Sequence, residues 1–157
     1  MERLRLIAFD EDDLKVISAH LQDALVRMED IAFLPKERRF AAVLKRFDWV
    51  TAAASSGDAD SFYERREAAL RFERVLGAQY RNLPLDGPAE TVTALLAVNF
   101  EAGDPPSGFI ELIFAGGGAI RLHVECIEGE LRDLGTVWRT RRKPEHPDSA
   151  DTPQTAS

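Results

Sequence analysis

The sequence predicts an α+β fold on a mostly antiparallel, curved sheet of six or seven strands, with one N-terminal and one C-terminal helix. Three observations carry this. Runs of alternating apolar and polar residues follow one another directly, without the crossover helices that a parallel sheet requires. A helical period of about 3.6 is confined to a stretch after Phe9 and another after Val124. Between Gly108 and Val124, two alternating runs flank Gly116, Gly117 and Gly118, which reads as a hairpin.

Taken in order, Leu4 to Phe9 is a short apolar strand, and Asp10 stands at a helix N-cap with Glu11, Asp12 and Asp13 in the first turn, where negative charge meets the positive end of the helix. Leu14, Ile17, Leu21 and Leu25 form its apolar stripe. His20 lies beside that stripe as a shoulder residue with its polar tip in water. Ile31 to Phe47 is a hairpin turning at Pro35-Lys36-Glu37-Arg38, which sets Phe33 opposite Phe40. Val43, Phe47 and Trp49 then emerge on the other face, so the second strand is covered on both sides or bulged near Lys45.

Thr51 to Ser61 is small and polar, a surface loop. Ala68 to Tyr80 alternates as one long strand with Leu70, Phe72, Leu76 and Tyr80 on a single face, and Thr91 to Phe100 gives another with Val92, Leu96, Val98 and Phe100 in phase. In the glycine hairpin a three-residue loop sets Phe114 opposite Ile120, Leu112 opposite Leu122 and Ile110 opposite Val124. Ile127, Leu131 and Leu134, with Gly135 at a C-cap position, predict a closing helix. Gly129 inside it implies close packing on the sheet or a ragged first turn. The element order resembles a pleckstrin-homology-like, partly closed barrel. Residues 1–143 are expected to form one domain and 144–157 a disordered tail. Truncation after Trp138 is expected to leave folding intact.

Composition narrows the function classes. The 157 residues are 45% hydrophobic and 30% charged, ordinary for a soluble globular domain, and the net charge of −7 repels nucleic acid and anionic membrane as a whole. With one cysteine, Cys126, no internal disulfide can form. No apolar run approaches the roughly 20 residues that cross a bilayer, and there is no signal-peptide pattern at the N-terminus, so a cytoplasmic location is expected.

The candidate site residues fall into two groups. On the outward face of the glycine hairpin the expected register brings Glu111 opposite His123, with Arg121 and Glu125 diagonal, a polar surface cluster able to bind a ligand. Arg139, Arg141, Arg142 and Lys143 form the one basic run, suited to an acidic partner or polyanion. Cys126 continues the inward phase of Ile120, Leu122 and Val124, which reads as a buried thiol, and a strand would hold His123 and Cys126 on opposite faces. One cysteine and three scattered histidines supply no zinc set, and the triple glycine lacks the phosphate-loop spacing, so neither metal nor cofactor is expected. No convergent acid, base and nucleophile stands out. The expected function is a small binding or adaptor module with an unidentified protein partner. The alternatives are a ligand or substrate site between the hairpins near Arg46, Trp49 and His123, and polyanion contact through the basic run.

The segments LPKERRF (Leu34 to Phe40), RFDW (Arg46 to Trp49), ALRFERV (Ala69 to Val75), AGGGAIRL (Ala115 to Leu122), ECIEGELRDLG (Glu125 to Gly135) and TRRKPEH (Thr140 to His146) follow one another in order. In this the chain resembles an uncharacterised family of small alphaproteobacterial proteins of unknown function. The resemblance implies one bacterial cytoplasmic domain and transfers no site residue.

Overall fold

A computed structural model describes residues 3–48, 63–85, 87–88 and 91–140, with the side chains of 63, 64 and 136–140 outside the description. The elements run β1 (Arg5–Ala8), α1 (Glu11–Leu21), β2 (Ala24–Leu34), β3 (Arg39–Phe47), β4 (Tyr63–Phe72), β5 (Val75–Arg81), β6 (Val92–Ala102), β7 (Gly108–Phe114), β8 (Ala119–Val124) and β9 (Gly129–Thr140). The nine strands of the described residues join one antiparallel sheet in the order β1-β9-β4-β3-β2-β6-β7-β8-β5. This corrects the expected six or seven strands with two helices, and with it the pleckstrin-homology-like order, because the C-terminal segment is a strand.

That segment had helical spacing, but Leu134 is exposed while Leu131 and Asp133 are buried two residues apart. The determining factor is a vacant slot between β1 and β4. As a strand, β9 satisfies its backbone on both sides, pairing Leu131 with Leu6 and with Leu70. Gly129 is explained by close packing on the sheet, since a Cβ there would lie 2.6 Å from the Phe72 ring. Gly135 does adopt positive φ, at +96°, but inside a strand irregularity in which three residues of β9 oppose Glu67 alone. Because β9 runs to Thr140 opposite Tyr63, truncation after Trp138 would remove its last two paired residues.

Helix α1 begins as the sequence predicts, with the Asp10 carboxylate accepting from Asp13 N–H at 2.8 Å. It stops at Leu21, and Leu25 belongs to β2, since Asp23 turns the chain at φ 66°. The helix lies on the core face of β6, where the register slips between Leu95 and Ala97 and the Val98 N–H is taken by Ser18 Oγ at 2.9 Å. The slip breaks the expected phase: Val98 keeps it and is buried, but before the slip Leu95 takes the buried face and Val92 is half exposed.

The predicted single strand from Ala68 to Tyr80 is two. It bends at Glu73 and Arg74, with Arg74 at φ 58°, and Leu76 and Tyr80 are left partly exposed. Only this bend separates β4 in the body of the sheet from β5 at its far edge, so the sheet must curl until the two ends approach. Backbone bonds from Val75 N–H to Arg38 O, Glu73 N–H to Glu128 O and Glu125 N–H to Arg74 O hold that corner. The curl encloses Phe40, Leu70, Phe72, Ile110, Leu112, Ile120 and Leu122, closed over by Leu14, Ile17 and Leu21 of α1.

Both predicted hairpins form. In β2–β3 the Phe33–Phe40 pairing holds, while the bulge sits in β2 and not near Lys45. In β7–β8 the register is Leu112 opposite Ile120 and Ile110 opposite Leu122, two residues from expectation, because Gly116 and Gly117 at φ 81° and 87° carry a turn of 3-10 helix and lengthen the connection. A slip of two keeps every side chain on its face, so the core survives the error.

Gly129→Ala is expected to cost about 1–3 kcal/mol through collision with Phe72, measured by urea denaturation. An unchanged midpoint would show that β9 does not lie against β4 at this point.

Candidate functional site

Charged residues that continue the inward apolar phase mark one end of the core. Along β3, Phe40, Ala42 and Leu44 are followed in phase by Arg46, and along β9 Leu131 is followed by Asp133, and all are buried. A buried charge requires a partner, and these two find each other: Arg46 donates to both Asp133 oxygens at 2.8 Å, and Asp133 also accepts from Leu4 N–H at 2.9 Å. Directly opposite Arg46 on β4 stands Arg66, which donates to Asp48 at 2.7 Å. Two arginines and two aspartates thus form two ion pairs, with Arg46, Asp133 and Asp48 close enough to act on His20 near the C-terminal end of α1. On the other face Arg65 lies 5.8 Å from the Phe47 ring centre and donates to Asp23 O at 3.1 Å.

The half-buried His20 faces this group. Burial, then the Arg46 charge, hold its pKa below the ordinary value against the opposing pull of Asp133 and Asp48. Burial alone would raise Asp133, but the bonds from Arg46 and Leu4 outweigh it and the carboxyl lies below its usual range. His20 was expected to point its tip into water. Its relation to residues far along the chain had no local signature, whereas Arg46 and Asp133 were detectable as charges in an apolar phase.

The polar cluster on β7–β8 forms in part. The shifted register sets Glu111 opposite Arg121, and Phe109 opposite His123. Arg121 bonds Glu111 at 2.8 Å and Glu101 at 2.9 Å, with its guanidinium 3.9 Å from the Phe109 ring centre. His123 stacks on the other partner, its ring 4.9 Å from that of Phe109. Glu125 lies past the end of β8 and pairs with Arg38 at 3.3 Å, away from the cluster. Cys126 is only half-buried, because β8 ends at Val124 and Ile127 takes the next buried position. Of the basic run, the backbone of Arg139 lies in β9 opposite Glu64, while Arg141, Arg142 and Lys143 lie outside the described residues, as does Trp49. Among the described residues no three His, Cys, Asp or Glu side chains gather as a metal seat, and no helix is long and apolar enough to cross a membrane.

Residues 4–146 match the family model described as protein of unknown function DUF2948. The chain belongs to the DUF2948 family. No curated protein and no solved structure matches it.

The concave site of this DUF2948 chain had no motif in the sequence. In β2, four residues, Arg27 to Asp30, stand opposite Val43 alone. The backbone bows out there, the Met28 N–H turning to Thr91 O at 2.9 Å. On the outer face this opens a groove of about 190 Å³ with Leu25, Val43 and Val92 as its apolar wall and Arg27, Asp30, Lys45 and Glu67 around it. Arg27 bonds Asp30 at 3.1 Å, and Lys45 stands directly opposite Glu67 in the β3–β4 register. The only sequence signal was an apolar phase on both faces of the second hairpin strand.

Asp133→Ala is expected to destabilise by about 3–5 kcal/mol, since Arg46 is left charged and buried, and adding Arg46→Met should restore most of the loss. Equal losses in the single and double variants, by urea denaturation, would contradict the pairing.

Acid sensitivity follows with a definite sign. His20, Asp133 and Glu130, the last lowered chiefly by its bond from Arg5, all have folded pKa values below their unfolded ones. The unfolded chain therefore binds more protons, and stability falls with pH, first below about 6.5 through His20 and then more steeply below about 4. Unfolding midpoints at several pH values should show both steps, and His20→Gln should remove the first alone. A first step that persists in His20→Gln would assign it elsewhere.

Proposed function

We propose that the protein is a non-catalytic binding module of the bacterial cytoplasm that receives an apolar side chain of a protein partner in the groove beside the β2 bulge. The observation that carries this is the groove's composition: an apolar wall of Leu25, Val43 and Val92 framed by the Arg27–Asp30 ion pair and by Lys45 and Glu67 on adjacent strands. Such a seat rewards burial of an uncharged group, and its one arginine is already bonded to Asp30. The volume of about 190 Å³ suits one large side chain. Bulges of this kind recur where a sheet re-aims side chains for recognition. A fold held without a disulfide agrees with a reducing compartment.

The test is capture of partners from the host, identification, and titration of the purified partner against wild type, Val43→Glu and Val92→Glu. Both positions face the groove, and Val92 is half exposed, so Val92→Glu should fold normally. Binding is expected to weaken at least about tenfold in each variant, as for loss of a central apolar anchor. Undiminished binding by a folded Val92→Glu protein would remove the groove from the interface.

A further inference from the structure

We infer a second, independent binding site along the free edge of β5, which takes an extended peptide carrying a carboxylate and an aromatic side chain four residues apart.

Among the described residues β5 has a strand neighbour, β8, on one side only. The other edge among the described residues is the four-residue β1, short enough to offer little to a passing strand. In contrast β5 spans seven residues, contains no proline and no lysine, and exposes Leu76 and Tyr80. Alternate residues of such an edge direct N–H and C=O outward and can pair with an added strand.

Side chains on the outer face define what that strand must carry. Gly77 pairs with His123, Gln79 with Arg121 and Arg81 with Ala119, so Gly77, Gln79 and Arg81 all lie on this face. A Cβ at Gly77 would meet nothing within 4 Å, which leaves a notch beside the exposed His123 and the Phe109 ring stacked on it. An aromatic residue opposite Gly77 would cover the bare backbone and extend that stack, as aromatic side chains do opposite strand glycines. At the other end Arg81 is exposed and makes no ion pair among the described residues. It borders a groove of about 530 Å³ that also takes in Gln79, Ile113, Arg121 and Glu111, the last bonded to Arg121, so Arg81 is the cation left for a ligand there. A carboxylate opposite Arg81 would be bound there. Gly77 and Arg81 are four apart with the same facing, so the two side chains on the added strand are also four apart, in either strand direction.

The same charges disfavour a second copy of this chain as the occupant. β5 contains no acidic residue, so its own copy would bring Arg81 without a carboxylate, between bodies that each carry net −7.

The probe is a capped heptapeptide, Ser-Glu-Thr-Val-Thr-Phe-Ser, whose Glu, Val and Phe share one face. Titrated into the full-length protein, it should give saturable amide shifts centred on Gly77–Arg81 and slow hydrogen exchange at alternate β5 amides. Affinity should fall about five- to tenfold for Arg81→Glu, and a peptide with Lys in place of Glu should bind that variant better than it binds wild type. Arg81 is exposed, so the variant should retain the wild-type spectrum elsewhere. Absence of binding, shifts centred on the β2 groove, or no response to the charge exchange would overturn the site. Concentration-dependent dimerisation that protects the β5 amides would assign the edge to a second copy instead.

Discussion

The fold depends on β9 filling the slot between β1 and β4. Without it the two neighbours would each carry a row of unpaired backbone groups on a surface that the curled sheet buries, at a cost no side-chain contact offsets. With it the nine strands become one hydrogen-bonded surface. The same strand carries Leu131 into the core and Asp133 beneath Arg46. Its opposite face sets Glu130 between Arg5 and Arg71, with Arg71 continuing to Glu73 and Glu73 to Arg39, so a chain of ion pairs crosses four strands on the outside. The exposed members of that chain contribute little each. Their alignment shows that the register of β9 satisfies both faces at once.

Curvature is concentrated at a few irregular points. The bend at Glu73 and Arg74 sends one stretch of chain from the body of the sheet to its far edge. Irregularities in β2, β5, β6 and β9 each interrupt a ladder and increase local twist. Each also has a local consequence. In β6 the freed Val98 N–H anchors α1 through Ser18, and in β2 the displaced residues open the outer groove. The sheet thereby gains a concave feature on a face that would otherwise be an even layer of paired charges.

The buried Arg46–Asp133 and Arg66–Asp48 pairs occupy the end of the core under α1. Such pairs add little net stability relative to apolar packing, because desolvation offsets most of the attraction. Their geometric effect is larger: a bidentate bond between β3 and β9, joined by the Leu4 amide, admits one relative placement of the three segments. His20 at the end of α1 lies within their field, its pKa lowered by burial and then by the Arg46 charge.

Legible in the sequence alone were the Asp10 cap, the Phe33–Phe40 register and the face of nearly every residue in the two hairpins, because these rest on interactions between near neighbours in the chain. It also brought Glu111, Arg121 and His123 onto one face, though not in the right pairs. Tertiary structure alone decided that Ile127 to Leu134 is not a helix, since its spacing fits a helical stripe and only the open edges of β1 and β4 favour the extended form. It decided likewise where the irregularities fall, that Arg46 meets Asp133, and that β5 is left at an edge. These outcomes depend on which distant backbone and charged groups remain unsatisfied once the sheet curls, and local periodicity carries no record of that.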